Sequence, residues 1–115
     1  MAKLFAIAVP VIPGKEGEWN KWMTELKEKR LGEFNQSRKD LGVRERTFLQ
    51  HTPMGDMVIV TLEGEDPQSA FAEFGRSNSE FAQWFTANVK SLHGIDLTQQ
   101  PEAAAMPELV IDSHG

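Results

Sequence analysis

The sequence contains no cysteine and no tyrosine, and acidic residues outnumber basic ones. Without cysteine there is no disulfide, no thiolate metal ligand and no cysteine nucleophile, which is typical of proteins in a reducing compartment. We therefore expect a cytoplasmic protein. The 17 acidic and 12 basic residues give a net charge of −5. A nucleic-acid-binding domain normally has a basic surface, so nucleic acid is not an expected partner.

Long apolar runs are also missing. The first apolar stretch, residues 4–12, has only Lys3 before it and contains Pro10. It is much shorter than the roughly 18 residues of a membrane span, and it has no small-residue cleavage pattern. The stretch therefore predicts a buried first strand, and no membrane partner is expected. At 115 residues the chain can bury its own core, and we predict a single domain over 1–115.

The patterning predicts a β-hairpin in the middle of the chain. Residues 43–51 and 57–63 read as strands, and Pro53 and Gly55 between them favour a tight turn. Before the hairpin, apolar residues at helical spacing predict one long helix from about 15 to 40. Gly32 interrupts that helix, so we expect a bend or break near it.

After the hairpin, Asp66 and Pro67 predict the start of a helix that ends at Gly75. Ser77 and Glu80 have the spacing of a capping box for the next helix, which Gly94 closes. Residues 94–107 read as a connector. The β-branched run ELVID, residues 108–112, predicts a short final strand.

This order is β-α-β-β-α-β with the second helical region split in two, an α+β arrangement of the ferredoxin-like kind. It predicts a four-stranded antiparallel sheet with the helices on one face. The first and third strands are apolar on both faces, whereas the helices cover only one. The uncovered face would be a large apolar patch, so we predict a face-to-face homodimer.

Several stretches together resemble the dimeric α/β-barrel superfamily: IPGKEGEWNKW, SRKDLGVRERTFLQHTPMGD, EGEDP, HGIDLTQQP and PELVID. Over nearly the whole chain they are similar to a group of uncharacterised bacterial proteins within it. The resemblance implies ferredoxin-like chains that pair face to face. Members include cofactor-independent monooxygenases, haem-degrading enzymes, small lyases and amino-acid-sensing domains. No catalytic motif of these enzymes matches residue by residue, so no catalytic residue is carried over and no cofactor is expected.

The second strand carries the densest polar cluster of any predicted strand. Arg44, Arg46 and Gln50 alternate onto one of its faces, and Glu45 and His51 onto the other. If one of these faces lines a pocket, its side chains could hold a carboxylate or a phenol. The alternative is a structural role, either as charges on an edge strand or as ion pairs between subunits.

His51 and His93 are the candidate catalytic residues, since a histidine is the natural general base near neutral pH. Neither lies in a metal-ligand spacing such as HExxH, so no metal site is expected. A structural alternative exists for His93, because the helix dipole favours histidine near a helix C-terminus.

The helices are rich in aromatic residues, and Asn88 is the one polar residue on the apolar stripe of the last helix. Trp84 and Asn88 therefore complete the candidate ligand-binding set. We predict a small homodimer that binds an apolar or aromatic molecule, with an enzyme of the cofactor-independent monooxygenase or isomerase kind as one form of it. The alternatives are a non-catalytic sensing module and a structural dimer without a ligand.

Overall fold

A computed structural model describes residues 2–99 and 107–114. In chain order its elements are β1 (Lys3–Pro10), α1 (Glu16–Lys29), α2 (Leu31–Asp40), β2 (Val43–Thr52), β3 (Gly55–Gly64), α3 (Pro67–Arg76) and α4 (Glu80–His93). The order is thus β-α-α-β-β-α-α. The two segments of the connector on either side of 100–106 are described, whereas 100–106 itself lies outside the described residues.

The hairpin is present as predicted and forms two thirds of the sheet. β2 and β3 pair antiparallel from Val43 opposite Gly64 to Thr52 opposite Gly55. The turn closes at Gly55, whose φ of 120° is a value that glycine adopts easily. β1 pairs antiparallel with the other edge of β3, which gives a sheet of order β1-β3-β2.

The four-stranded ferredoxin-like prediction is wrong, because the described sheet has three strands. Residues 108–112 form no strand, and Leu109, Val110 and Ile111 are exposed. The run has strand propensity, but propensity reports mainly how well side chains pack on a pleated surface. Here these side chains have no such surface under them, so the short segment does not become a strand.

The helices begin and end close to the predicted positions, with one difference in capping. The predicted break near Gly32 is confirmed: it falls at Arg30, whose φ and ψ of −130° and 17° are not helical, and Gly32 itself lies within α2. The predicted capping box at Ser77 is wrong. Ser79 is the N-cap of α4 and accepts a hydrogen bond from the Ala82 N–H at 3.1 Å. Glu80 instead pairs with Arg30 across the helices.

Strand alternation gives the sheet two different faces. Residues directly opposite one another share a face, so Phe5, Leu62 and Glu45 lie side by side on what we call the inner face. All four helices contribute side chains to a core against this face, including the buried Trp22 and Phe85. The opposite, outer face carries Leu4, Ala6, Ala8, Met57, Ile59, Arg44, Arg46, Phe48 and Gln50.

Within the described parts of the chain, no helix is long and apolar enough to cross a membrane. In the same residues, no group of three or more histidine, aspartate or glutamate side chains is arranged to hold a metal ion.

The connector after α4 runs against α3 at a single close approach. A Cβ atom added to Gly75 would lie 1.9 Å from the carbonyl oxygen of Leu97. No side chain fits at that distance, so glycine at position 75 allows the backbone of residues 95–97 to lie directly on α3. This segment forms part of the wall of the cavity described below.

We expect Gly75→Ala to lower the free energy of unfolding by about 1–3 kcal/mol, because either the connector or α3 must move. Gly32→Ala is the matched control. It makes the same change in another helix, where nothing lies within 4 Å of the added methyl group. That control should stabilise the protein by about 0.5–1 kcal/mol through helix propensity alone. Urea denaturation of both variants measures the change in the free energy of unfolding. A change of the same sign in Gly75→Ala and Gly32→Ala would contradict the prediction.

Candidate functional site

A cavity of about 470 Å³ lies between the inner face of the sheet and the helices. Protein interiors are normally packed with few voids larger than a water molecule. Small-molecule sites, by comparison, occupy roughly 300–1,000 Å³. The volume of this cavity is therefore that of a binding site and much larger than an ordinary packing defect.

The wall of the cavity is mostly apolar. The inner face of the sheet supplies valines together with Ile7 and Leu62, and the helices supply tryptophan, phenylalanine and aliphatic side chains. Residues representative of the apolar wall are Ile7, Val9, Val58, Val60, Trp19, Trp22, Leu26, Phe34, Phe74, Phe85 and Val89. The polar and charged groups on the wall are few, and two of them, Arg38 and His93, are themselves buried.

The first polar feature of the wall is an ion pair between Arg38 on α2 and Glu45 on β2. Arg38 Nε donates to Glu45 Oε1 at 2.8 Å, and both side chains are only 8% exposed. Arg38 Nη1 also donates to Ser37 Oγ at 3.0 Å, and Thr47 Oγ1 donates to Glu45 Oε2 at 3.3 Å. A buried charge must be paired, and here each ion has its counterion and a further hydrogen bond.

Three aromatic rings surround the guanidinium of Arg38. Its central carbon lies 4.5 Å from the ring centroid of Phe34, 4.2 Å from that of Phe74 and 4.9 Å from that of Phe85. Ring faces carry partial negative charge and attract a cation within about 6 Å. The rings belong to α2, α3 and α4, so this one side chain joins three helices to β2.

The second polar feature is His93, the last residue of α4, which is 8% exposed. Its Nδ1 lies 2.8 Å from the carbonyl oxygen of Pro10 at the end of β1. A carbonyl can only accept, so Nδ1 carries the proton. Burial lowers the pKa of His93 below its ordinary value, outweighing the Pro10 hydrogen bond, which acts in the opposite direction. The ring is therefore neutral at pH 7, with a lone pair on Nε2.

Two buried hydrogen-bond donors on the cavity wall are not accessible to a ligand. The indole nitrogens of Trp19 and Trp22 have no hydrogen-bond partner within the described chain, and neither has an accessible surface of 1 Å². A ligand in the cavity therefore cannot reach them without rearrangement. Trp22 packs edge-on against Phe85 at 5.0 Å between ring centroids, so its contribution to the site is apolar contact.

The structure places the predicted arginines and glutamine away from the cavity. Arg44, Arg46 and Gln50 lie on the outer face of the sheet, opposite to the helices. Arg46 Nη1 contacts Glu63 Oε1 at 3.4 Å, with both side chains about 40% exposed. Ligand binding by this set stays a prediction, but it would have to take place on the outer face.

The other predicted residues separate as well. His51 is exposed at the end of the hairpin, where its Nδ1 lies 2.7 Å from Asp56 Oδ1. Asn88 donates to the Trp84 carbonyl one turn earlier at 2.9 Å, so its amide serves its own helix. Trp84 packs against Trp22 and Phe81, and Arg30 lies over its ring. Of the predicted candidates, His93 is the one that lines the cavity.

Arg38 is a functional-site residue that the sequence analysis did not single out. A signal was nevertheless present. Leu31, Phe34 and Leu41 mark the apolar stripe of α2, and Arg38 falls on it, four residues after Phe34 and three before Leu41. A charge on an apolar stripe next to an acidic residue in the following strand indicates a buried pair.

Comparison with known proteins adds no relative: no family model, curated protein or solved structure matches this chain. The geometry of the cavity therefore carries the functional argument.

We expect Arg38→Met to lower the free energy of unfolding by about 3–5 kcal/mol, because it leaves the Glu45 carboxylate buried without its cation. The double variant Arg38→Met with Glu45→Leu removes both charges and should recover most of the loss. Urea denaturation of Arg38→Met, of Glu45→Leu and of the double variant gives the coupling energy between the two side chains.

The control for this cycle is Arg46→Met, which breaks the half-exposed pair with Glu63 on the outer face. Exposed pairs contribute about 0–1 kcal/mol, so this variant should change stability little. If Arg38→Met destabilises the protein no more than Arg46→Met does, the buried pair does not have the structural role assigned to it.

Proposed function

We propose that this protein binds a small, mostly apolar molecule in the cavity between the inner face of the sheet and the helices. The observation that carries the proposal is the cavity itself, about 470 Å³ of space with an apolar wall and few polar groups. The cavity is partly open to the surface, and the apolar side chains on its wall lack the contacts that close packing would provide. A ligand that fills the cavity restores those contacts and removes its own apolar surface from water.

The wall also favours a ligand without a strong charge. The Arg38–Glu45 pair is neutral as a unit and already hydrogen-bonded, and His93 is neutral at pH 7. An ionised ligand would lose its hydration shell and gain no buried counterion that is not already paired.

A thermal-shift screen of uncharged aromatic and alicyclic compounds tests the proposal. A ligand present at one hundred times its Kd stabilises the folded state by about 2.7 kcal/mol, which raises Tm by several degrees in a domain of this size. Val60→Phe places a larger side chain on the inner face and should abolish the shift. Ile59→Phe makes a comparable enlargement on the outer face and should leave it intact.

Two outcomes of this screen would contradict the proposal. One is that no compound class raises Tm, which would favour a structural dimer without a ligand. The other is that the shift persists in Val60→Phe and disappears in Ile59→Phe, which would place the ligand on the outer face.

A specific observation favours an enzyme as the second candidate. His93 is neutral, lines the cavity and is held in one tautomer by Pro10, which is how a general base is prepared. The same ligand screen separates the two functions. A binding module releases the compound unchanged, whereas an isomerase-like or monooxygenase-like enzyme converts it, and chromatography of the bound compound shows which occurs.

We also propose that two copies pair through the outer faces of their sheets. Support comes from apolar side chains on that face: Phe48, directly opposite Ile59, is 53% exposed, and Leu4, at the start of β1 opposite Glu63, is 56% exposed. Arg44 and Glu63 lie opposite one another on the same face, and Glu63, which pairs with Arg46 within the chain, is half-exposed; both therefore allow reciprocal ion pairs between two copies across a two-fold axis. The resemblance to the dimeric α/β-barrel superfamily and the cytoplasmic location stay predictions from the sequence.

Light scattering tests the dimer. At micromolar concentration the wild type should give twice the 12.9 kDa mass of one chain. Ile59→Lys places a charge at the centre of the outer face, between Ala8 and Phe48, and should give single chains. Met54→Lys adds the same charge at the hairpin tip, where the side chain is 97% exposed, and should stay dimeric. A wild type that scatters as a single chain would rule the dimer out.

A further inference from the structure

We infer that the ligand is an uncharged, mostly apolar molecule with a hydroxyl group, and that this hydroxyl donates a hydrogen bond to Nε2 of His93. The inference rests on the proposed function and names the chemical class of ligand within it. It follows from the tautomer of His93, from the separation of the two polar ends of the cavity, and from the charges on the wall.

The tautomer decides which partners His93 can have. Nδ1 donates to the carbonyl oxygen of Pro10 at 2.8 Å, so the neutral ring offers only a lone pair on Nε2. Nε2 has no hydrogen-bond partner in the part of the chain that the structure describes, although the residue is 8% exposed and lines the cavity. Unlike the indole nitrogens of Trp19 and Trp22, Nε2 keeps accessible surface, so a ligand O–H in the cavity can reach it and supply the donor it lacks. A ketone, ether or ester oxygen offers no proton and would not.

The two polar ends of the cavity are too far apart for a small molecule to contact both. Glu45 lies opposite Leu62 of β3, whereas Pro10 lies opposite Met57, five residues further along the strand. At about 3.4 Å per residue these levels are about 17 Å apart. Arg38 and Glu45 satisfy one another at their end, so the polar group of a ligand is better placed at the His93 end.

The charges on the wall disfavour an anionic ligand at that end. Asp96, three residues after His93, also lines the cavity. Its Oδ1 accepts a hydrogen bond from the Thr98 N–H at 3.0 Å, and its Oδ2 lies 3.7 Å from Lys90 Nζ. The remaining charged wall residues are Arg38 and Glu45, which pair with one another, and Lys27, which is exposed and therefore screened by water. An ionised carboxylate would lie near Asp96, with no unpaired buried cation to receive it.

Three compounds with the same ring system test the inference: 1-naphthol, 1-methylnaphthalene and 1-naphthoate. They differ only in carrying a donor, no donor or a negative charge. Affinities are measured by calorimetry for the wild-type protein, for His93→Phe and for His51→Gln. The first variant keeps a ring but removes Nε2, and the second changes an exposed histidine outside the cavity.

We expect the wild type to bind 1-naphthol and to bind 1-naphthoate at least tenfold more weakly. The ratio of the Kd of 1-methylnaphthalene to that of 1-naphthol should fall about tenfold in His93→Phe, because the hydroxyl then loses its acceptor. In His51→Gln the ratio should equal that of the wild type. The ratio is informative because the two ring systems bury nearly the same apolar surface.

His93→Phe could fail to fold, since it also removes the hydrogen bond to Pro10. Nitrogen NMR of wild-type protein labelled at histidine covers that case. Binding of 1-naphthol should shift the Nε2 resonance of His93 and leave that of His51 in place.

The outcomes separate this inference from the proposed function. If none of the three compounds binds, the binding site itself is contradicted. If the compounds bind but the affinity ratio is the same in wild type and His93→Phe, or the His93 Nε2 resonance does not respond, the cavity stands and the hydroxyl contact is overturned. Preferential binding of 1-naphthoate would overturn the uncharged class.

Discussion

The buried ion pair between Arg38 and Glu45 is the interaction on which the rest of the structure depends. A cation and an anion that are both withdrawn from water must remain together, because separating them leaves either one uncompensated. Their contact therefore fixes α2 against β2. Since the guanidinium also lies among Phe34, Phe74 and Phe85, it fixes the positions of α3 and α4 around the same point. The ion pair and the three rings all contribute to the wall of the cavity.

β2 illustrates how one strand serves two environments. Its period of two sends Glu45 toward the helices and its neighbours Arg44 and Arg46 to the outer face. The three residues are adjacent and charged, yet they lie in different environments. Glu45 is buried in its ion pair with Arg38, whereas Arg44 and Arg46 lie on the outer face, which none of the described helices covers. A shift of one residue in register would exchange these environments and bury the arginines, so the buried pair also specifies the register.

Much of the local structure could be predicted from the sequence, because it is encoded locally. The hairpin follows from Pro53 and Gly55, the start of α3 from Asp66 and Pro67, and the end of α4 from Gly94. The ELVID strand could not be judged in this way. Whether a segment becomes a strand depends on a neighbouring strand to pair with and a surface to pack on. The sequence of the segment itself specifies neither. The cap of α4 was misplaced by two residues, since both Ser77 and Ser79 are cap-forming residues and the structure uses Ser79.

The site was only partly predictable for a different physical reason. His93 was a candidate because histidine is the natural general base near neutral pH, but its place in the site depends on Pro10, which is 83 residues away in the chain. Arg44, Arg46 and Gln50 were candidates because they cluster, and clustering in sequence does not reveal which face of a sheet is covered. Arg38 was not a candidate, although the sequence places it on the apolar stripe of α2.

The contact between Gly75 and the Leu97 carbonyl has a consequence for how this cavity can change over evolution. At Leu97 the connector meets α3 backbone against backbone, so this contact does not depend on the side chain of Ile95 or on that of Leu97 beyond its Cβ. These two residues also line the cavity. Substitutions among them can therefore reshape the wall of the site while the fold keeps its anchor, which lets ligand preference diverge without loss of the scaffold.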